Sequence, residues 1–331
     1  MKDFSEKIAV ITGAGTGMGR ELARQLVAEG CHVALCDIIL ENLKETEKLC
    51  QKESKPGTRV SAHECDVSDE TQVIAFAEAV KTQQATDHIN LLFNNAGIGG
   101  GGSFLLDDRK DWERVFGINW SGVYFCTRAF MPLLLSSQEG HLINISSVNG
   151  FWGCMGPFSP HTAYSTSKFA VKGFTESLQI DLRLHAPHVK ASLVMPGHIG
   201  TSIARNANKI LGKPGIEEMN SEELKVVRER MKRMLIPVDE LDDEALKNLV
   251  IQNREDFCEK APLTAAQGAA VILEGVRHEK WRILVGEDAE FLDGMVRQYA
   301  DIAYEIHFVE KLTEEREKKG IQVLESFIPK E

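Results

Sequence analysis

Short runs of apolar residues alternate along the chain with longer stretches in which apolar residues recur every three or four positions. Short uninterrupted runs predict buried strands, and the longer spacing predicts helices with one apolar face. The runs that predict strands are residues 8–11, 32–36, 59–64, 89–93, 141–146, 190–195 and 281–285. Because strands and helices alternate, we predict an α/β fold: a doubly wound parallel sheet of about seven strands with helices on both faces.

Helical spacing fills most of the intervals between these strands. It starts at Met18 and recurs over residues 41–49, 73–80, 111–135, 164–184 and 265–276. The segment 111–135 is apolar on more than one face, which predicts one long helix buried on several sides.

The alternation stops in two places. Residues 198–262 are charge-rich and helical in period, and residues 287–331 are helical in period with a charged run near the end. We therefore predict one domain over residues 1–331, with a helical substrate-lid insertion at 198–262 and a C-terminal helical extension at 287–331.

The insertion contains an amphipathic helix for which Ser221 is the candidate N-cap. Its apolar stripe is formed by Leu224, Val227, Met231 and Met234. The loop at 151–160 offers apolar side chains to cover this stripe: Phe151, Trp152, Met155 and Phe158. We predict that loop and insertion form a lid over a largely apolar substrate, ordered when cofactor or substrate binds. The alternative is a rigid helical pair packed on the core or on a neighbouring subunit.

Charge and cysteine content narrow the function classes. The 331 residues include 38 Lys and Arg against 49 Asp and Glu, a net charge of -11, which argues against a nucleic-acid surface. The seven cysteines form no Cys-x-x-Cys pair, so neither a disulfide framework nor a metal site is expected. No apolar run approaches the roughly twenty residues of a membrane span. We expect a cytoplasmic protein with a small-molecule substrate and no membrane association.

A glycine cluster follows the first strand, in the order Thr12-Gly13-Ala14-Gly15-Thr16-Gly17-Met18-Gly19. Glycines between a strand and a helix let backbone N–H groups approach a pyrophosphate. A tight turn that needs positive φ is the structural alternative. Asp37 ends the second strand, where a carboxylate would bind the ribose hydroxyls of a dinucleotide. Together these features favour dinucleotide binding.

Tyr164 and Lys168 are four positions apart and so project from one side of a helix. A phenol has a pKa near 10, and a neighbouring ammonium favours the phenolate and lowers that pKa. Tyr164 can then take a proton from an alcohol or give one to a developing alkoxide. Ser147 would hold the substrate oxygen.

These motifs resemble those of the short-chain dehydrogenase/reductase family, over about residues 5–201 and 264–286. The glycine cluster is similar to its Thr-Gly-x-x-x-Gly-x-Gly fingerprint, and residues 164–168 to its Tyr-x-x-x-Lys motif. Further similar motifs are Asp66-Val67 after the third strand, Asn94-Asn95-Ala96-Gly97 after the fourth, Asn119 in the long helix, Ser147 after the fifth strand and Pro196-Gly197-His198-Ile199-Gly200-Thr201 after the sixth.

The resemblance implies a Rossmann-type fold and a set of site residues. The implied catalytic residues are Ser147, Tyr164, Lys168 and Asn119, with Lys168 also holding the nicotinamide ribose. The implied cofactor-binding residues are Gly13, Thr16, Gly17, Met18, Gly19, Asp37, Asp66, Val67, Asn94, Asn95, Ala96, Gly97, Tyr164, Lys168, Pro196, Gly197, Ile199 and Thr201. It also implies that the helices at 111–135 and 164–184 pair between subunits, giving a homodimer or homotetramer.

NAD is the expected cofactor. The carboxylate of Asp37 would repel the 2′-phosphate of NADP, and no Arg or Lys stands at Thr16 or Ile38, where NADP users of the family commonly place one. The implied reaction moves a hydride between NAD(H) and a secondary alcohol or ketone. An epimerase or dehydratase, an NAD-binding regulator without turnover, and a scaffold whose tail recruits a partner are the alternatives.

Three details depart from the family pattern or stay open. Ser147 and Tyr164 are seventeen positions apart, a few more than is usual, which leaves open whether Ser146 or Ser147 faces the site. The run Gly99-Gly100-Gly101-Gly102 predicts a mobile stretch. His161 and His198 lie near the expected site, where they either tune substrate binding or are ordinary loop histidines.

Overall fold

The computed structural model describes residues 1–155, 159–234 and 236–320. Its strands are β1 Ile8–Thr12, β2 His32–Asp37, β3 Val60–Glu64, β4 Leu91–Asn94, β5 Gly140–Ile145, β6 Val189–Pro196, β7 Ile199–Gly200, β8 Leu263–Thr264 and β9 Arg282–Val285. Seven of them form one parallel sheet in the order β3-β2-β1-β4-β5-β6-β9, and β7 pairs with β8. The predicted doubly wound sheet of about seven strands is confirmed.

The strand order reverses between β1 and β4, which are neighbours in the sheet. In a doubly wound sheet the connections that leave two such strands go to opposite sides, so a crevice opens at their carboxyl ends. Thr12 and Asn94 end these two strands, and the glycine cluster and the Asn-Asn-Ala-Gly turn follow them directly. The topology therefore brings these two sequence motifs together.

The helices are α1 Gly17–Glu29, α2 Leu40–Glu53, α3 Glu70–Gln83, α4 Arg109–Phe116, α5 Gly122–Leu135, α6 Thr162–His185, α7 Ile203–Ile210, α8 Ser221–Arg233, α9 Asp243–Glu259, α10 Ala265–Arg277, α11 Glu287–Gln298 and α12 Ile306–Lys319. Two apolar clusters lie between helices and sheet: one contains residues of α1 and α10, the other residues of α3 and α5.

The prediction of one uninterrupted helix over residues 111–135 is wrong. A π-helical turn, Gly117–Ser121, separates α4 from α5. Asn119 lies in this turn, where its amide accepts a hydrogen bond from the N–H of Ile98 (2.8 Å) and donates one to the Ile98 carbonyl (3.0 Å). A π-helical turn packs less well than an α-helical one. The two buried bonds to Ile98 offset that cost.

The amphipathic helix of the insertion is α8, and its predicted N-cap is off by one residue. Asn220 accepts hydrogen bonds from the N–H groups of Glu222 and Glu223, and the Glu223 carboxylate binds the Asn220 N–H in return. Such a capping box satisfies several helix-start donors at once. Ser221 is the first helical residue instead.

The apolar stripe of α8 is covered within the insertion. Leu224 and Met231 are buried in a small core with Leu246 of α9 and Ile216, while Met234 stays 37% exposed. The stripe therefore has its apolar partners without the loop at 151–160. This packing agrees with the helical-pair alternative, and the lid that orders on ligand binding stays a prediction.

The described part of the loop at 151–160 packs against the C-terminal extension. Trp152 is 1% exposed; its indole N–H donates to the carbonyl of Ala303 (2.8 Å), and its ring meets Phe308 edge-on. Of the four apolar residues predicted to cover the stripe, Phe158 lies outside the described residues, as do residues 321–331 of the extension. The extension therefore holds the first half of this loop.

Candidate active site

The glycine cluster forms the turn between β1 and α1. Gly13 and Gly17 have φ of +63° and +57°, a conformation that side chains other than glycine rarely adopt. A Cβ at Gly13 would stand 2.7 Å from Cα of Ala96, and one at Gly19 would stand 2.2 Å from the Gly13 carbonyl oxygen. The turn therefore has room only for bare backbone, and it presents the N-terminus of α1 to the crevice.

A cleft enclosing about 840 Å³, partly open to solvent, runs along this turn. Predicted site residues that line it are Gly13, Thr16, Gly17, Met18, Asp37, Asp66, Val67, Asn95, Ala96, Gly97 and Thr201. Residues that line it without having been predicted are Ile38, Ile39, Cys65, Ile98, Ile118, Ile203, Asn206 and Ile210. Most of the predicted cofactor residues thus share one cleft.

Asp37 lies at the end of β2 on the wall of this cleft. Its two carboxylate oxygens accept hydrogen bonds from the N–H of Ile39 (2.9 Å) and of Gly15 (2.8 Å). Burial raises the pKa of Asp37 above its usual value, against the effect of these two bonds. The carboxylate is fixed in orientation, and its remaining lone pairs can accept hydroxyl donors.

Asp66 follows β3 and is held by its own neighbours. Arg114 pairs with one carboxylate oxygen (2.7 Å), and Ser68 donates to the other through its N–H and its hydroxyl. Burial raises the pKa of Asp66, but these bonds outweigh burial and leave the pKa below its usual value. Next to it, Val67 packs where a Cβ at Gly122 would stand only 2.7 Å away.

The Asn94–Gly97 turn divides between interior and cleft. The Asn94 amide is buried and donates to Thr127 (3.0 Å) and to Asn144 (2.8 Å), so its role in the structure is to join β4 to α5 and β5. The side chain of Asn95 donates to the carbonyls of Thr12 (2.9 Å) and Gly13 (3.1 Å). Asn95 therefore ties the two turns at the strand switch point together.

The loop after β6 is anchored by Asp288 of α11. A Cβ at Gly197 would stand 2.1 Å from a carboxylate oxygen of Asp288, and that same oxygen accepts the N–H of His198 (2.6 Å). His198 is 6% exposed, and its Nε2 lies 2.6 Å from the carbonyl oxygen of Phe257 in α9. His198 is thus an anchor between loop and insertion. Pro196 ends β6, and Ile199, 4% exposed, belongs to the core.

Helix α7 covers the open side of the cleft. Ile203, Asn206 and Ile210 line the cleft at three- and four-residue spacing, and the Asn206 amide donates to the hydroxyl of Thr16 (3.3 Å). The sequence contains this i, i+3, i+7 spacing, which is typical of one helix face. The neighbouring stripe of α8 is longer and more apolar, so the sequence pattern alone favours α8 over α7 as the helix next to the site.

The structure distinguishes Ser146 from Ser147. The Ser146 hydroxyl is buried and donates to the carbonyl of Lys168 (2.8 Å). The Ser147 hydroxyl accepts the N–H of Asn149 (3.1 Å) and lies close enough to Tyr164 to lower the pKa of its phenol. Of the two serines, Ser147 faces the tyrosine.

Tyr164 and Lys168 both belong to α6, and the Lys168 ammonium lies 5.5 Å from the centre of the Tyr164 ring. Burial lowers the pKa of Lys168 to about 8, and its ammonium donates to the carbonyl of Ile145 (3.0 Å). Burial raises the pKa of Tyr164, against a smaller lowering by the Ser147 hydrogen bond. The expected lowering by the ammonium is therefore not seen, because Lys168 binds Ile145 and lies beside the ring.

Asn119 reaches the same place from the π-helical turn. A Cβ at Gly97 would stand 3.2 Å from the amide oxygen of Asn119 and 3.3 Å from the Lys168 ammonium. Glycine at position 97 leaves this space between cleft and Lys168 open. The four predicted catalytic residues therefore converge from three places: the π-helical turn before α5, the segment directly after β5, and α6.

The second half of the four-glycine run, for which mobility is predicted, packs against the start of α6. Gly100 and Gly101 have φ of +122° and +62°, and a Cβ at Gly101 would stand 2.4 Å from Cβ of Ala163. The carbonyls of Gly101 and Gly102 accept the N–H groups of Ala163 and Thr162. The glycines are needed because this loop packs against the start of α6.

His161, directly before α6, stacks on Tyr164 with ring centres 4.7 Å apart and planes 20° apart. Burial, helped by the charge of Arg230, lowers the pKa of His161 to about 4, so the imidazole is neutral near pH 7. Its Nδ1 is shielded from water and has no hydrogen-bond partner among the described residues.

The described residues contain neither a membrane-spanning helix nor a metal-binding cluster. Over residues 1–155, 159–234 and 236–320, no helix combines the length and apolarity of a bilayer span. The same residues contain no cluster of three His, Cys, Asp or Glu side chains arranged to hold a metal ion.

Comparison with known proteins agrees with this geometry. SadH of Mycobacterium tuberculosis, whose name carries only a general oxidoreductase assignment, is 39% identical over 207 residues, covering 62% of this chain and 72% of SadH. A short-chain dehydrogenase/reductase from Burkholderia phymatum, solved in complex with NAD, is 27% identical with a TM-score of 0.68 and covers 98% of both chains. A metagenomic short-chain oxidoreductase in complex with NADP is 34% identical over 59% of this chain and 83% of its own, with a TM-score of 0.52.

The sequence profile described as short chain dehydrogenase matches residues 7–211, which is more than half of the chain. This range begins just before β1 and ends just after α7, so it includes the glycine turn, Asn119, Ser147, Tyr164 and Lys168. The chain belongs to the short-chain dehydrogenase/reductase family of oxidoreductases.

Proposed function

We propose that this protein is an NAD-dependent dehydrogenase/reductase that acts on secondary alcohols and ketones, with Tyr164 as the general acid and base. The observation that carries the proposal is the convergence of Ser147, Tyr164 and Lys168, with the Lys168 ammonium 3.3 Å from the Cβ position of Gly97, a residue that lines the same cleft as Asp37. A protein that only binds a dinucleotide has no need for this arrangement.

The residues of the cleft fit NAD. The bare backbone at Gly13 and Gly17 and the N-terminus of α1 suit a pyrophosphate, and the oriented carboxylate of Asp37 suits ribose hydroxyls. A 2′-phosphate at Asp37 would meet a like charge. The relative in complex with NAD supports this choice, and the relative in complex with NADP is the reason to test it. When bound, NAD supplies the acceptor for the substrate's hydride.

The chain's own groups would handle the substrate's proton and its position. The Ser147 oxygen accepts the Asn149 N–H, so its single O–H can donate to Tyr164 and, when substrate binds, to the substrate oxygen instead. Tyr164 as phenolate would take the alcohol proton during oxidation and, as phenol, return one during reduction. Lys168 keeps a positive charge near neutral pH because its pKa is about 8, and its ammonium would hold the nicotinamide ribose.

We further propose that the body of the substrate is apolar. Half-buried apolar residues follow Ser147 along the chain: Phe151, Cys154 and Met155 pack with one side against the cluster of Trp152 and the C-terminal extension and leave the other side uncovered. Apolar walls with few polar groups are typical of small-molecule sites.

The test is steady-state absorbance at the NADH band with a panel of aliphatic, aromatic, terpenoid and steroid secondary alcohols. We expect turnover with NAD for at least one apolar class and none in a Tyr164→Phe control. NAD binding without turnover across the panel, together with unchanged behaviour of the control, would favour a regulator.

A further inference from the structure

One arginine of α8 reaches the start of α6. A Cβ at Gly102 would stand 3.2 Å from Nη2 of Arg230 and 3.1 Å from the Pro160 carbonyl oxygen. Pro160 precedes His161, whose ring stacks on Tyr164. Arg230 is exposed, yet it lies close enough for its charge to act on His161. The insertion thus places a guanidinium beside the loop that leads into α6, three to four residues before Tyr164.

Two other cations of α8 have structural partners, whereas Lys225 and Arg233, like Arg230, have no ion-pair partner within 4 Å among the described residues. Arg228 donates to the carbonyls of Val238 and Leu241 and pairs with Asp243, and Lys232 pairs with Asp239 (2.6 Å). Within the described ranges, no carboxylate lies within 4 Å of the Arg230 guanidinium.

Asp107 shares the position of Arg230 beside Gly102. A Cβ at Gly102 would stand 3.4 Å from a carboxylate oxygen of Asp107, and that same oxygen accepts the N–H of Ser103 (3.0 Å). Asp107 therefore offsets part of the Arg230 charge without forming an ion pair with it. His161 is neutral, and the helix that begins at Thr162 adds a partial positive charge at its first turn.

We propose that Arg230 binds a carboxylate carried by the substrate, so that the substrate is a hydroxy acid or oxo acid with an apolar body between its two polar ends. This inference rests on the proposed function of the same site. A guanidinium is suited to the role because it forms two parallel hydrogen bonds with a carboxylate. A single cation matches a singly charged acid.

This assignment divides the substrate among separate parts of the chain. Ser147 and Tyr164 would hold the reacting oxygen, the uncovered sides of Phe151 and Met155 would contact the apolar body, and Arg230 would hold the far end. Binding energy at a distant charge orients the reacting carbon without taking part in the chemistry. Arg230 is thus a specificity-determining residue.

The experiment is calorimetric titration of the full-length protein saturated with oxidised NAD, a state in which a ketone binds but cannot be reduced. The probes are oxo acids of short, medium and long chain, each paired with the neutral methyl ketone of the same length. We expect at least one oxo acid to bind about tenfold more tightly than its neutral partner, the effect of one charge-assisted contact. Arg230→Gln should remove this preference.

Arg233→Gln is the matched control because it removes the same charge one turn further along α8. It should keep the preference, and circular dichroism should show that both variants are folded. Equal binding within every pair, or a preference that survives Arg230→Gln, would overturn the proposal. Turnover of the tightest oxo acid with NADH is measured separately: an acid that binds through Arg230 but is not reduced contradicts the proposed function and leaves the carboxylate site standing.

Discussion

At the residue scale, the burial of Tyr164 works against the form that a base requires. Burial raises its pKa, so the phenolate is the minor species near neutral pH. Alcohol oxidation uses the phenolate and ketone reduction uses the phenol. We expect kcat/KM for oxidation to rise with pH from neutral into the alkaline range, while kcat/KM for reduction stays level over the same neutral range. Pre-steady-state pH profiles in both directions measure this, and an oxidation profile that falls with rising pH would contradict the assignment.

Tyr164→Phe removes the phenolic hydroxyl and keeps the ring that stacks on His161. We expect NAD binding close to that of the unchanged protein and turnover lower by at least ~10²-fold, the low end for a general acid–base group. Tyr124→Phe is the matched control, since Tyr124 is 39% exposed on α5. Ordinary activity in the Tyr164 variant would refute the mechanism.

The cofactor proposal depends on one carboxylate. Asp37→Ala with Ile38→Arg replaces a group that repels a 2′-phosphate with one that pairs with it. We expect the ratio of kcat/KM for NAD over NADP to fall by at least about tenfold. Ile39→Val leaves the carboxylate and its N–H partner intact and serves as the control. Preference for NADP in the unchanged protein would refute the assignment.

The sequence predicted well which residues lie at the site. It predicted less well which partners each side chain binds there. Helical spacing alone predicts that Tyr164 and Lys168 project from one side of a helix. The place of Asp37 at the end of β2 predicts a carboxylate positioned for ribose hydroxyls. The inward role of Asn94 could not be predicted, because it depends on Thr127 and Asn144, which are distant in sequence. The choice of Ser147 over Ser146 likewise depends on the direction of two adjacent side chains at a strand end.

At the element scale, α7 is the part of the insertion placed to open and close. It has no buried residue, yet it lines the cleft and binds Thr16 through Asn206. Helices α8 and α9 bury their apolar faces against each other. We therefore expect limited proteolysis of the free protein to cut within residues 202–215 and spare 221–259, and NAD to protect the first segment. Equal cutting with and without NAD would show that α7 does not close over the cofactor.

Helices and strands were predicted well where the spacing of apolar residues and the length of the segment indicate the same type of element. All seven strands of the main sheet, and helices α2, α3, α6 and α10, were located to within a few residues, whereas α4 and α5 were predicted as one helix and α7 was not singled out. The cap at Asn220 was misplaced by one residue because Asn and Ser are both good caps and stand next to each other. The hydrogen bond that Trp152 donates to Ala303 of the C-terminal extension could not be predicted, because the two residues are far apart in the chain.

At the scale of the whole molecule, α5 and α6 leave apolar side chains uncovered. The exposed residues on the two helices are Tyr124, Leu135, Phe169, Ile180 and Leu184. Contiguous exposed apolar surface is typical of protein interfaces. We expect a homodimer or homotetramer through these helices, and Phe169→Glu should shift it toward monomer in light scattering coupled to size-exclusion chromatography. Ile74→Glu, on the exposed face of α3, is the control; a monomeric unchanged protein would refute the expectation.

The interrupted helix that carries Asn119 has a consequence for how its sequence is read. Each residue of an α-helix turns the next side chain by about 100°. The wider turn at Gly117–Ser121 takes up one extra residue, so the inward faces of α4 and α5 fall out of step by about that angle. Two ordinary amphipathic helices joined in this way resemble a single helix that is apolar all round. The apolarity of residues 111–135 on more than one face thus has two sources: the change of inward face at this turn, and the uncovered apolar residues of α5 such as Tyr124 and Leu135. Deleting one residue at the turn would bring the inward faces into step and turn Asn119 away from Ile98.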